Sequence, residues 1–145
     1  MYEIPTAADL ARHLSTIVHE AHQKARAESA RLKSEFAAHG AARSSRLIVA
    51  VAGRVDTVHK EALAEAMPVV LDFAKRTQID LKQITLLARP YLENLANTVL
   101  AEIPAAGFAA EQLRFRTQYA QVFELRLERA LRNAEIGFIG RGTQT

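Results

Sequence analysis

Apolar residues recur every three or four positions along most of the chain, and this spacing places them on one face of an α-helix. In the first such segment the apolar positions are Leu10, Leu14, Ile17, Val18 and Ala21. Thr6 followed by Asp9 predicts a capping box at the start of this helix, although Asp replaces the usual Glu or Gln. Gly40 predicts its end, because glycine readily adopts the conformation that terminates helices.

The second segment carries the longest regular pattern. Its apolar positions are spaced 4-4-3-4-4-3-4, a period that suits a nearly straight α-helix, and they are Leu47, Val51, Val55, Val58, Ala62, Ala66, Val69 and Phe73. A strand over residues 47–53 is the alternative, since these residues are β-branched and end in Gly53. No other segment offers such a strand a partner, so we expect a helix that begins after Ser44 or Ser45.

Two further helices are predicted. Asp80 with Gln83 forms a capping box for the third helix, which stops at Pro104 and has the apolar positions Ile84, Leu87, Leu92, Leu95, Val99 and Ile103. The fourth helix is expected over about 109–138, with a main stripe formed by Leu113, Ala120, Phe123, Leu127, Leu131, Ala134 and Phe138.

Prolines interrupt the second and third helices. Pro68 and Pro90 lie at similar distances from the turn between those helices, so an antiparallel hairpin places them at nearly the same height. An interior proline removes an N–H donor and pushes on the preceding turn, which predicts that both helices bend there. The alternative is that one proline starts a new short helix.

The predicted fold is therefore all-α: an elongated four-helix bundle or a pair of long antiparallel helical hairpins, with proline kinks near Pro68 and Pro90. We expect a single domain over residues 1–145, with a flexible glycine-containing tail at about 139–145. No signal peptide or membrane-spanning run is evident in the sequence, so the cytoplasm is the default expectation.

Composition argues against an enzyme. The chain has no cysteine, which excludes thiolate catalysis and thiolate metal sites. It also has no glycine-rich phosphate loop and no nucleophile elbow. We therefore predict neither catalytic residues nor a cofactor.

Histidines are the remaining candidates for chemistry. His19 and His22 share a helical face, but a firm metal site needs a third or fourth ligand. Asp56 and His59 have the carboxylate-x-x-His spacing of di-iron helix bundles, yet the chain offers one such element where that architecture needs two, with glutamates besides. We therefore expect no bound metal.

Basic residues are concentrated around the predicted turn between the first and second helices, and they predict an anion-binding surface as one alternative function. The chain carries a formal net charge of +3, and residues 24–54 hold seven Lys or Arg against two Glu. Such a patch is able to grip phosphates of nucleic acid, and its members are Lys24, Arg26, Arg31, Lys33, Arg43, Arg46 and Arg54. A solvated, arginine-rich hairpin is the plainer interpretation.

The favoured function is assembly, through homo-oligomerisation or by docking another helical protein. Apolar residues cover about half of the circumference of the fourth helix in its first half, more than one core contact requires. The predicted interface residues are Phe115, Tyr119, Val122, Arg116, Arg126, Phe138 and Ile139. Arg116, Arg126 or Arg129 would pair with glutamates of a neighbour.

A third class is the coating of an apolar surface. Long amphipathic helices that are rich in alanine, low in aromatics and free of tryptophan resemble, in composition alone, the phasins that coat polyester granules. The mixed signs of charge on the polar faces differ from the Lys/Arg dominance that adsorption to anionic lipid favours.

Overall fold

The computed structural model describes residues 5–40, 45–103 and 109–143, and it describes the backbone alone at 45, 109–113 and 138–143. Its helices are α1 (Ala7–Ala38), α2 (Ser45–Thr77), α3 (Leu81–Leu100) and α4 (Ala109–Thr143). Within these residues there is no strand, so the all-α prediction is confirmed and the strand alternative for 47–53 is wrong. None of the described helices has the length and apolar character needed to cross a membrane.

The ends of α1 follow the local signals in the sequence. The side-chain oxygen of Thr6 accepts the Asp9 N–H at 3.3 Å, and Asp9 Oδ2 accepts the Thr6 N–H at 2.8 Å. Asp9 Oδ2 also accepts the Thr6 hydroxyl at 3.0 Å, and the two bonds from Thr6 to this carboxylate hold the pKa of Asp9 below its usual value. At the other end, Gly40 has a φ of 72°, a left-handed conformation that suits glycine. The predicted capping box and glycine stop are both confirmed.

The α2–α3 hairpin lies at the centre of the bundle. α1 packs on α2 and α3, α4 packs on the same two helices, and the described parts of α1 and α4 do not contact each other. Each helix runs antiparallel to the one before it: Leu10 lies near Phe73, for example, and α4 approaches the end of α3 through Arg116 and its middle through Glu128.

The buried face of α2 is broader than one row of residues because this helix contacts the other three. The predicted stripe is buried except at Val69, which is half-buried while Val70 is fully buried. A second row of buried residues lies beside that stripe and consists of Ile48, Ala52, His59, Leu63, Val70 and Ala74. In α1 the alanine-rich middle packs closely, since Ala25 is fully buried and Ser29 Oγ donates to the carbonyl of Glu102.

Several expectations about α3 and α4 need correction. Leu87 is 48% exposed and Ala88 is buried in its place, because the buried row of α3 follows steps of four and three residues from Ile84. Ala120 is exposed as well, while its neighbour Tyr119 packs on the core.

The ends of these two helices also differ in detail from the predictions. Asp80 caps α3 by accepting the N–H of Lys82 at 3.3 Å, one position earlier than a capping box with Gln83 requires. The last residue of α3 is Leu100, before the predicted stop, and α4 extends to Thr143, beyond the predicted end near residue 138.

Both interior prolines lie within continuous helices. Pro68 is inside α2 and Pro90 is inside α3, so the alternative that one of them begins a new helix is wrong. Each faces solvent. The carbonyl oxygens that lose an amide partner, those of Ala64 and Leu86, therefore belong to exposed residues that water can solvate.

Candidate functional site

A polar cluster joins α4 to α2 in the middle of the bundle. Arg126 Nη2 donates to Asp56 Oδ1 at 2.7 Å, and Arg126 Nη1 donates to His59 Nδ1 at 2.9 Å. Nη1 also lies 3.4 Å from the carbonyl oxygen of Asp56. The guanidinium thus satisfies three acceptors on one turn of α2, which fixes the position of α4 along that helix.

His59 is held in its neutral form by this arrangement. A guanidinium has only donors, so the imidazole must accept at Nδ1 and carry its hydrogen on Nε2. The ring is 1% exposed and stacks on Phe123, with centroids 4.0 Å apart and planes 6° apart. Burial, followed by the positive charge of Arg126, lowers the pKa of His59 to about 4, while Asp56 opposes the shift.

This cluster is an internal anchor of α4. The His59 ring is closed off from solvent by burial beneath Phe123, and Asp56 is committed to Arg126. Both groups are engaged in contacts within the chain. The Asp56-x-x-His59 spacing noted in the sequence therefore serves a contact between helices.

Arg116 makes a second link, between α4 and the end of α3. Its Nη2 donates to the carbonyl oxygens of Ala101 at 3.1 Å and Ile103 at 3.0 Å. The last carbonyls of a helix lack amide partners, and a cation there also complements the helix dipole. Its Nε is buried without a hydrogen-bond partner among the described residues.

Replacing Arg116 with Met is expected to lower the free energy of unfolding by about 1–2 kcal/mol, because two charge-assisted bonds to carbonyls are lost while the apolar stem is kept. Urea denaturation followed by circular dichroism measures the change. Exposed Arg114 provides the matched control, and Arg114→Met should leave stability unchanged. An equal effect of both variants would contradict a capping role for Arg116.

The other predicted interface residues on α4 occupy different surroundings. Phe115 and Tyr119 are half-buried against the core, and Tyr119 meets Phe123 edge-on at a centroid distance of 6.2 Å. Val122 is 38% exposed. The side chains of Phe138 and Ile139 lie outside the described residues.

Opposite its buried face, α4 carries a second apolar row. Val122, Leu125 and Ile136 are 38%, 58% and 63% exposed. At 100° per residue these side chains and Arg129 fall within about 60° of one another, and we call these four residues the outer stripe. A shallow hollow along this side is lined by α4 alone, through Val122, Leu125, Arg126, Arg129, Ala130 and Asn133.

The outer stripe was only partly predicted. Val122 and Arg129 are among the residues predicted to meet a neighbour, whereas Leu125 and Ile136 are not. The sequence does indicate this row through a heptad-like spacing, with successive steps of three, four and seven residues from Val122 to Leu125, Arg129 and Ile136. The buried Phe123–Leu127–Leu131 row gives a stronger pattern on the same helix and conceals the weaker one.

The structure divides the predicted basic patch. Arg31 bonds both Glu28 and Glu35 at 2.7 Å, and Arg54 lies 3.8 Å from Glu28. The hydrogen bond from Arg31 and the nearby positive charges lower the pKa of Glu28, so these cations are partly neutralised by a stable carboxylate.

The remaining basic side chains do not share one face. At 100° per residue, Lys24 and Arg26 point about 160° apart on α1, and Lys33 points in nearly the same direction as Arg26. Arg46 is exposed at the start of α2, and Arg43 lies outside the described residues.

The two histidines of the predicted pair line one shallow hollow between α1 and α3, but their contacts differ. His22 Nε2 lies 3.2 Å from Glu102 Oε1 at the α1–α3 contact, whereas His19 is exposed. In the described parts of the chain, no group of three or more His, Asp or Glu residues is arranged to hold a metal ion.

Comparisons with protein-family models, with curated proteins and with solved structures found no match for this chain.

Proposed function

We propose that this chain is a non-enzymatic helical assembly protein that docks a further helix, from a second copy or from another protein, on the outer stripe of α4. The observation that carries the proposal is the row of Val122, Leu125 and Ile136, exposed on a helix whose opposite face is already buried. A helix with two apolar faces presents more apolar surface than its own bundle covers, and exposed apolar patches are typical of interaction sites.

The contacts of α4 within the chain support this choice. Arg126 and Arg116 fix the helix on α2 and α3, so its outer face is presented on an anchored element. Arg129 is exposed on the outer stripe, and among the three arginines expected to meet a neighbour it is the one without an internal role in this anchoring.

Photocrosslinking from position 125 tests the proposal. A benzophenone amino acid placed at Leu125 in the protein expressed in its own cells is expected to give discrete adducts. The same group at Leu86 of α3, which is 69% exposed, should give none. Adding Ile136→Asp should abolish the adducts from position 125, because it places a charge on the same apolar row.

The masses of the adducts identify the docked helix. An adduct at twice the mass of the 16.0 kDa chain identifies a second copy, and any other discrete mass identifies a different protein. Equal labelling from positions 86 and 125 would refute the proposal. A nuclease-sensitive adduct would instead favour the nucleic-acid alternative.

A further inference from the structure

Arg129 specifies which helix the outer stripe accepts. Resting on the proposed docking function, we infer that the occupant of this surface is a helix of another protein that carries carboxylates at the centre of an apolar face. The observation behind this inference is the position of Arg129, seven residues from both Val122 and Ile136 and exposed between them. Arg132, one turn further on, is also exposed.

Symmetry disfavours a second copy of α4 as the occupant. In an antiparallel pair of α4 helices whose outer stripes overlap fully, residue 129 of one copy faces residue 129 of the other, because it is midway between residues 122 and 136. In a parallel pair in register every residue faces its own counterpart, so Arg129 again meets Arg129. Both symmetric arrangements bring like charges together in the least hydrated part of the contact, which is unfavourable.

Among the described side chains of α4, a second copy supplies no carboxylate on the outer stripe to relieve this repulsion. The glutamates with described side chains in this helix are Glu124, Glu128 and Glu135. By helical geometry they point about 60° or more away from the nearest residue of the outer stripe. Glu128 is bonded to Arg89 at 2.6 Å, a contact that lowers its pKa and keeps it charged and committed within the chain.

The complementary surface follows from these residues. Val122 and Leu125 offer an apolar contact on one side of Arg129, and Ile136 offers another on the far side. A partner helix that places Leu or Ile against these ends and Glu or Asp against Arg129 buries the apolar area and pairs the charge. Arginine suits this role because its guanidinium binds a carboxylate through two parallel hydrogen bonds.

Two synthetic helices test the inference with the whole chain. Both peptides are three heptads long with leucine at the outer contact positions, and they carry either glutamate or lysine at the central ones. In fluorescence anisotropy the glutamate peptide is expected to bind at least about tenfold more tightly than the lysine peptide. Arg129→Glu should reverse this preference, which a general loss of structure would not do.

The Leu125→Gln variant distinguishes helix docking from electrostatic attraction of the acidic peptide by the arginines alone. It leaves Arg129 and Arg132 in place while removing apolar contact, so the glutamate peptide should bind this variant at least about tenfold more weakly. Undiminished binding would show that charge alone attracts the peptide and would overturn the inference. Equal affinity of native protein for both peptides would overturn it as well.

The remaining outcomes distinguish the inference from the proposed function. Discrete adducts from position 125 at the mass of a dimer would leave the docking function intact and overturn the assignment of a foreign acidic helix. Failure of both peptides, together with equal labelling from positions 86 and 125, would overturn the docking function and the inference together.

Discussion

Phe123→Ala is expected to lower the free energy of unfolding by about 3–5 kcal/mol, the usual cost of removing a fully buried aromatic side chain. Phe123 has no exposed surface, and its ring is stacked on His59 while the guanidinium carbon of Arg126 lies 5.5 Å from the ring centroid. The substitution therefore leaves a cavity and also uncovers the polar anchor between α2 and α4. Urea denaturation followed by circular dichroism measures the loss.

Val122→Ala is the matched control because it shortens an adjacent side chain on the exposed face of the same helix. Its effect should stay within about 0.5 kcal/mol, as is usual for surface positions. Phe123→Leu, which keeps much of the volume, should fall between the two. A loss below about 1 kcal/mol for Phe123→Ala would mean that α4 does not pack on α2 through this ring.

The sequence was sufficient for the parts of the fold that depend on local signals. Helix spacing and end signals identified α1 at both ends, because the contacts of Thr6 with Asp9 and the positive φ of Gly40 involve residues close together in the chain. The same patterns predict less well which residue is buried where several apolar residues are consecutive. Leu86, Leu87 and Ala88 all fit some helical face, and packing against neighbouring helices selects the alanine for burial.

The contact between α2 and α4 could not be predicted in the same way. Arg126 lies 70 residues from Asp56, and nothing local to either residue indicates that the two helices bring them together. Each helix does contribute an i,i+3 pair: Asp56 with His59, and Phe123 with Arg126. The first pair has the spacing of a metal-binding element, but its actual partners become apparent only when the helices are packed.

The same dependence on packing explains why the sequence assigned Arg116 and Arg126 to a neighbour. An arginine within an apolar row either meets an acceptor or extends to water, and a stripe seen in isolation does not indicate which of these occurs. In the bundle, Arg116 meets carbonyl groups at the end of α3 and Arg126 meets Asp56. Arg129, with no such acceptor placed beneath it, is left on the outer stripe.

Acid is expected to destabilise the protein through His59. The imidazole has a pKa of about 4 in the folded chain and an ordinary value of 6.5, so the unfolded chain binds this proton more readily. Lowering the pH from about 6.5 to about 4 should therefore remove about 3 kcal/mol of folding free energy, and the contribution of His59 should level off below that range. Urea titrations at a series of pH values measure the loss.

His59→Gln isolates this effect from the titration of carboxylates. The Gln amide oxygen is able to accept from Arg126 but does not ionise, so the stability of wild type relative to this variant should fall by about 3 kcal/mol across the same pH range. His19→Gln replaces an exposed imidazole and should follow the wild-type curve. If wild type and His59→Gln instead gave parallel curves, the proton would bind His59 equally well in the folded and unfolded chains. Parallel curves would therefore contradict the lowered pKa that burial beneath Phe123 and the charge of Arg126 give this ring.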